Sequence, residues 1–491
     1  MKQWKKIVIS SVILVVLIVA LIVTSLFKGK GAPETNLTPT PAIDPVVDIA
    51  EKDIAKITVE NSNGTLIFTP GASKTESGDA VINWSLTSPK SSFYSETTIS
   101  RKIAYYILVE AQGIITASQT NLAEYGLDKP SATILITLKT GEKKKILFGK
   151  ETASSESFYA MLEGSGRICV ASSINARAAM LSSLEFLDTA VVLNNITVAE
   201  AKQVQFARKS DNANFLAISN NNASADGQTA ATWQITSPIK GDADSGYSTL
   251  LGQLVAITAS AYIETAPKDL SKYGLDKPSY EFTITGDKKK IHCILGGSAG
   301  DGLLYAYSDY VDAVFTMSTS ALTSIDIPFL DVVTSFVSLP AIWKVSAIDI
   351  KIDNQTIRCD IDDDQDNDTK PTYKLNGQDA TVMDSSDNYY FKAFYQAVLS
   401  VFIKDIDLKA TPVYQPVITI DYTMNDATPN THIGFVKRDD STYYVFKEGI
   451  YTGYFVDRDN FYSEEKGNEG ILPAYNILLD AVKNQVNGIY K

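Results

Sequence analysis

One heptapeptide occurs twice. Tyr125-Gly126-Leu127-Asp128-Lys129-Pro130-Ser131 returns unchanged as Tyr273-Gly274-Leu275-Asp276-Lys277-Pro278-Ser279, 148 positions later. An identical seven-residue run at that distance marks an internal repeat, and a repeated unit restricts the fold more than any bulk property. The surroundings repeat as well: Asn121-Leu122 precedes the first copy and Asp269-Leu270 the second. Asn and Asp are good helix N-caps. Four residues later comes Tyr and then Gly, which reads as one helical turn closed by a left-handed glycine. Leu127 and Leu275 would pack the turn down. A lysine before proline is pushed into extended backbone, so the chain should leave as a strand. The strand-like runs 133–138 and 280–285 follow at once. Tyr125, Gly126, Leu127, Asp128, Lys129 and Pro130, with Tyr273, Gly274, Leu275, Asp276, Lys277 and Pro278, are therefore expected to form a structural helix-to-strand connector. The competing reading is a ligand loop with Tyr and Lys as contacts.

Three copies of one unit are visible in register. Each opens with a strand: Ile57-Thr58-Val59-Glu60, Val204-Gln205-Phe206-Ala207 and Ile348-Asp349-Ile350-Lys351. A polar loop and an aromatic strand come next: Trp84 to Pro89, Trp233 to Pro238, and Tyr373-Lys374-Leu375, at spacings of 149 and 140 residues. A helix then carries apolar residues on one face, Ile103, Ile107, Ala111 and Ile114 in the first copy and Phe391, Tyr395, Val398 and Phe402 in the third. Phe186-Leu187-Asp188 and Phe329-Leu330-Asp331 mark the same exit twice. The third copy lacks the heptapeptide and turns at Ala410-Thr411-Pro412 and Gln415-Pro416, as a divergent terminal repeat would.

The N-terminal region reads differently. Residues 7–27 carry no charge, and as a helix they would extend ~31 Å, the thickness of a bilayer core. Lys2, Lys5 and Lys6 precede this stretch, and Lys28 and Lys30 follow it. That pattern predicts an uncleaved transmembrane signal anchor with a cytoplasmic tip. A spacer holding Pro33, Pro39, Pro41 and Pro45 comes next. The expected organisation is 1–27 tip and anchor, 28–47 linker, 48–190 repeat 1, 191–337 repeat 2 and 338–491 a divergent repeat 3. The expected fold class is α+β: three tandem repeats of antiparallel sheet with two helices each, preceded by one transmembrane helix. The expected location is the cell membrane, single-pass, with the bulk of the chain extracytoplasmic.

At the heptapeptide the chain resembles the family called domain of unknown function 4340. The resemblance rests on YGLDKP, on the strand pair ending Leu147-Phe148-Gly149 or Leu295-Gly296-Gly297, and on the aromatic strands Phe158-Tyr159-Ala160 and Leu304-Tyr305-Ala306. It covers two copies well and the third weakly. It implies a membrane-anchored envelope protein associated with ABC transporters of the gliding-motility type. ABC transporter subunits and the membrane are thus the partners it suggests.

Chemistry-bearing patterns are sparse. The net charge of −13 disfavours nucleic acid and anionic lipid. Three scattered cysteines do not make a disulfide framework. Gly296-Gly297-Ser298-Ala299-Gly300 matches the nucleophile-elbow pattern, but a strand rather than a helix is expected after it. His292 and His432 are the only histidines and sit in strand-like runs. The acidic run 360–368 offers Asp362, Asp364 and Asp366 as a weak cation loop. It fails as an EF-hand, because Asn367 stands at the glycine position and Tyr373 at that of the bidentate Glu. No cofactor is expected, and no catalytic constellation stands out. The expected function is a non-enzymatic binding or accessory protein of an ABC-type transport or envelope complex. The alternatives are an envelope polysaccharide or solute binder, which a cleft lined by Tyr and Asp would favour, and a hydrolase.

Overall fold

The structure is a computed structural model that describes residues 43–76, 79–116, 121–210, 213–220, 232–323, 325–363, 370–425 and 429–486. The chain divides into two compact units. The first holds the described residues up to Lys90 together with Ile99–Leu181; the second holds Ser91–Thr98 and the described residues from Ser182 onward.

The first unit is built on an eight-stranded antiparallel sheet. Its strands lie in the order Asp79–Ser88, Gly64–Glu76, Ile54–Asn61, Ala132–Leu138, Lys143–Glu151, Ser157–Leu162, Ile168–Ser172 and Ala111–Thr116. The path is a three-stranded meander, a jump across the opening strand, a four-stranded meander, and an edge strand taken from the intervening excursion. Alternation drives the pairing. Ile57 lies between Phe68 and Ile136, and Val59 between Leu66 and Ile134, all of them buried. A two-stranded ribbon, Val47–Asp48 with Leu108–Val109, stands beside this sheet.

The second unit contains two nine-stranded antiparallel sheets that follow the same path. In one, Ala201–Arg208 pairs with Ala213–Asn220 on one side and Tyr280–Gly286 on the other. In the other, Val345–Ile352 pairs with Gln355–Asp362 and Ile418–Met424. Each sheet covers one face with a helix. In Ser245–Val255 the residues Tyr247, Leu250, Leu251 and Leu254 are buried; in Tyr390–Leu399 they are Phe391, Phe394, Tyr395 and Val398. The terminal helix Ile471–Val486 joins the last core, with the Tyr475 ring 6.3 Å from that of Phe394.

The expected fold class needs correction on two counts. First, strands dominate: the described residues form four antiparallel sheets, a more β-rich fold than the expected α+β class of sheet with two helices per repeat. The expected second helix of the middle copy is a single turn, Phe329–Val332. Ala111 and Ile114, expected on the first helix, lie on the edge strand Ala111–Thr116, because Glu96–Ile107 ends before them. The run Ile114-Ile115 is β-branched and suits a pleated edge better than a helix. Second, among the described residues no helix is long and apolar enough to cross a membrane. The longest, Ile471–Val486, has 16 residues and is amphipathic. The span expected at residues 7–27 lies outside the described residues. The structure therefore gives no support to the transmembrane helix, the signal anchor, or the single-pass membrane and extracytoplasmic placement.

Candidate functional site

Both heptapeptides form the same object. Ala123–Tyr125 and Ser271–Tyr273 are single 3-10 turns, closed by Gly126 at φ +69° and Gly274 at φ +67°. Leu127 donates its N–H back to the Leu122 carbonyl at 2.9 Å, and Leu275 to Leu270 at 3.2 Å, a six-residue closure that satisfies the carbonyls at the end of the turn. Leu127 is buried with Leu147, Met161 and Ile168; Leu275 is buried with Ile294 and Val314. These are small second cores beneath the turn. The tyrosines lie over neighbouring rings, Tyr125 on Tyr159 and Tyr273 on Tyr305, each 5.0 Å between centroids.

The turn also explains the glycines that follow it. A Cβ on Gly149 would lie 2.1 Å from the Tyr125 carbonyl oxygen, and one on Gly297 would lie 2.5 Å from that of Tyr273. The backbone of the turn rests directly on these strands. Both strands shift register there, between Phe148 and Glu151 and between Leu295 and Ser298. Polar decoration differs between the copies. Asp269 accepts from the Ser271 hydroxyl and N–H, which hold its carboxyl below the ordinary range. Lys272 and the Tyr273 hydroxyl both reach Glu264, at 2.6 and 2.7 Å. Asp128, Lys129, Asp276 and Lys277 are exposed, whereas Leu127 and Leu275 are buried.

Among the described residues the other sequence candidates are not brought together into one site. Ser298 lies inside the strand Lys290–Gly300, which turns into the strand Leu303–Ser308, so no helix follows the serine pattern. Asp364 and Asp366 lie outside the described residues. Asp362 ends its strand exposed, and its neighbour Asp363 accepts from the Tyr373 hydroxyl and pairs with Lys392 at 3.1 Å. Among the described residues no group of three potential metal ligands occurs. The cysteines are buried thiols. His292 bonds Glu281 at 2.9 Å across the strands. His432 is bonded on both ring nitrogens, to Tyr414 and to Asp421. The Tyr414 ring covers Gly434, where a Cβ would lie 2.6 Å away. Desolvation raises the Tyr414 pKa, and the charges of Asp421 and Glu448 add to it.

The feature with binding chemistry lies between the two sheets of the second unit. It is a cleft of about 940 Å³. Thr334, Phe336 and Val337 line it, on a segment stitched to both sheets. Thr334 donates to the Asp242 carbonyl at 2.8 Å and Val337 to the Val401 carbonyl at 3.0 Å, while the Ser335 carbonyl accepts from Ile403 at 2.7 Å. The Phe336 and Phe402 rings meet at 4.9 Å. One wall carries Lys240, Gly241 and Asp242; the other is the hairpin of Thr442–Lys447 and Ile450–Asp457. Leu339 and Ile450 stand at the cleft 59% and 72% exposed.

Its polar groups include Gln234, Lys240, Asp242, Asp244, Lys447, Glu448, Tyr451 and Tyr454. Gln234 reaches Asp242 at 3.3 Å. Glu448 accepts from the His432 N–H at 2.6 Å. Tyr451 donates to the Asp407 carbonyl at 2.9 Å, and burial pushes its pKa up to about 12. Lys447 is exposed to the cleft, yet protein crowds its amine; desolvation lowers its pKa and Asp242 partly restores it. Tyr454 is only 5% exposed, and its hydroxyl finds no hydrogen-bond partner among the described residues. The hydroxyl lies close beside Gly241, where a Cβ would come within 2.9 Å of it. The glycine makes room for it. Burial raises the Tyr454 pKa, and Asp242 raises it further. An unpartnered buried hydroxyl costs about 1–3 kcal/mol, which makes it a feature to explain.

Sequence reasoning did not name these residues. The available signal was the aromatic density of 443–455, with Tyr443, Tyr444, Phe446, Tyr451, Tyr454 and Phe455 in one hairpin. No curated protein and no solved structure matches the chain. The family model described as domain of unknown function (DUF4340) matches residues 84–231 and 233–409. That is most of the chain, and it spans the two YGLDKP turns with their strand pairs, so the chain belongs to the DUF4340 family.

Proposed function

We propose that this protein is a non-enzymatic binding protein that takes a solute or polysaccharide segment into the cleft of its second unit, as an accessory of an ABC-type transport complex. One observation carries the reading: the buried Tyr454 hydroxyl has no hydrogen-bond partner among the described residues, and it belongs to a cleft that also holds Lys240, Lys447 and the carboxylates of Asp242, Asp244 and Glu448. Groups of this kind fix the orientation of a ligand, and the volume falls in the range of small-molecule sites, about 300–1,000 Å³. The transport setting comes from the family resemblance.

A thermal-shift screen of sugars, amino acids, nucleotides and short peptides tests the binding reading. At least one class should raise the Tm of the full chain, and Ile450→Arg at the cleft mouth should abolish the rise. Ile450 is 72% exposed, so the variant should fold normally. A screen with no response, or a response that Ile450→Arg leaves untouched, would count against a ligand in this cleft.

A further inference from the structure

We propose, resting on the cleft reading, that the ligand is a short neutral oligosaccharide, held by the Tyr454 hydroxyl and the Lys447 amine donating to its oxygens while Asp242 and Glu448 accept from its hydroxyl groups. Among the described residues the Tyr454 hydroxyl has no acceptor; it is covered beside Gly241, so a ligand oxygen reaches it only where that wall gives way, and no carboxylate lies in ion-pair distance of the Lys447 amine. These two call for acceptors on the ligand. Asp242 and Glu448 are acceptors only, each with one bond already made, and they call for donors. A sugar hydroxyl is both at once.

Charge narrows the choice. Lys240 and Lys447 face Asp242, Asp244 and Glu448, so the lining is not cationic, and the chain carries −13 overall. A polyanionic ligand would be repelled. A bare metal ion lacks a ligand cluster among the described residues. Shape points the same way. The half-buried Tyr451 ring and the exposed Ile450 side chain give apolar surface for the C–H faces of sugar rings. The cleft has more room than one ring fills.

Isothermal titration of the full chain with maltotetraose, cellotetraose, mannotetraose, N-acetylchitotetraose and tetragalacturonate tests this. At least one neutral tetrasaccharide should bind with Kd below the millimolar range, and tetragalacturonate should bind more weakly. Tyr454→Phe and Lys447→Met should each weaken binding by about three- to tenfold, with melting curves that show folded protein. Silence from all the neutral sugars, tighter binding of tetragalacturonate, or binding indifferent to both substitutions would overturn the proposal. If the sugars fail while another solute class raises the Tm in an Ile450-dependent way, the saccharide assignment falls and the cleft reading stands. If neither responds, both fall.

Discussion

Gly126 and Gly149 show how a seven-residue motif can be repeated for architecture. The first must hold φ at +69°, and the second must let the Tyr125 carbonyl lie against its strand. Gly126→Val places a branched side chain in the left-handed region and should destabilise the first unit by about 1–3 kcal/mol. Gly274→Val should cost the second unit a similar amount. Gly149→Ala meets backbone at 2.1 Å, so the turn must lift, at about 1–3 kcal/mol. Lys129→Ala and Lys277→Ala should change stability by less than about 0.5 kcal/mol, as exposed positions do. Chemical denaturation of the five variants checks the ranking. Lys447 carries a pH prediction. Its folded pKa lies below the unfolded one, so the folded state resists holding that proton. Lys447→Met should therefore raise Tm at neutral pH, and the gain should shrink as pH climbs and vanish above the ordinary lysine pKa, where the wild-type amine is neutral in both states. A gain that grows with pH would contradict this.

At the scale of elements, the third core rests on one helix face. Phe391 is fully buried and stacked on Tyr373, with ring centroids 4.3 Å apart. Phe391→Ala should cost about 3–5 kcal/mol. Tyr414→Phe removes only the bond to His432 and should cost about 0.5–1.5 kcal/mol. Urea titrations followed by tryptophan fluorescence distinguish the two. This helix also shows what a sequence makes legible. Phe391, Tyr395 and Val398 share the buried face that helical spacing predicts, because packing there follows local periodicity. Phe402 does not, since the helix stops at Leu399 and Phe402 is 41% exposed beside the cleft. The turn at Gly126 could be read because glycine, proline and leucine act on their own backbone. Strand continuity past Ile107 could not, because apolar spacing in Ala111 and Ile114 fits both a helix and an edge strand. The cleft was out of reach for a different reason. Asp242 and Lys447 stand some two hundred positions apart on different sheets, and only the packing of one sheet beside the other brings them to one cleft.

At the scale of the whole molecule, two compact units imply separable cooperativity. Scanning calorimetry should resolve at least two transitions, with Gly126→Val lowering one and Gly274→Val the other. A single transition moved equally by both would contradict the division. The central claim, that the second unit holds a ligand between its sheets, is tested most directly by crystals of the full chain grown with the neutral tetrasaccharides. The account predicts sugar density in the cleft, with a sugar oxygen within hydrogen-bond distance of the Tyr454 hydroxyl and another near the Lys447 amine. Sugar bound elsewhere, or a cleft without sugar at saturating concentration, would contradict it.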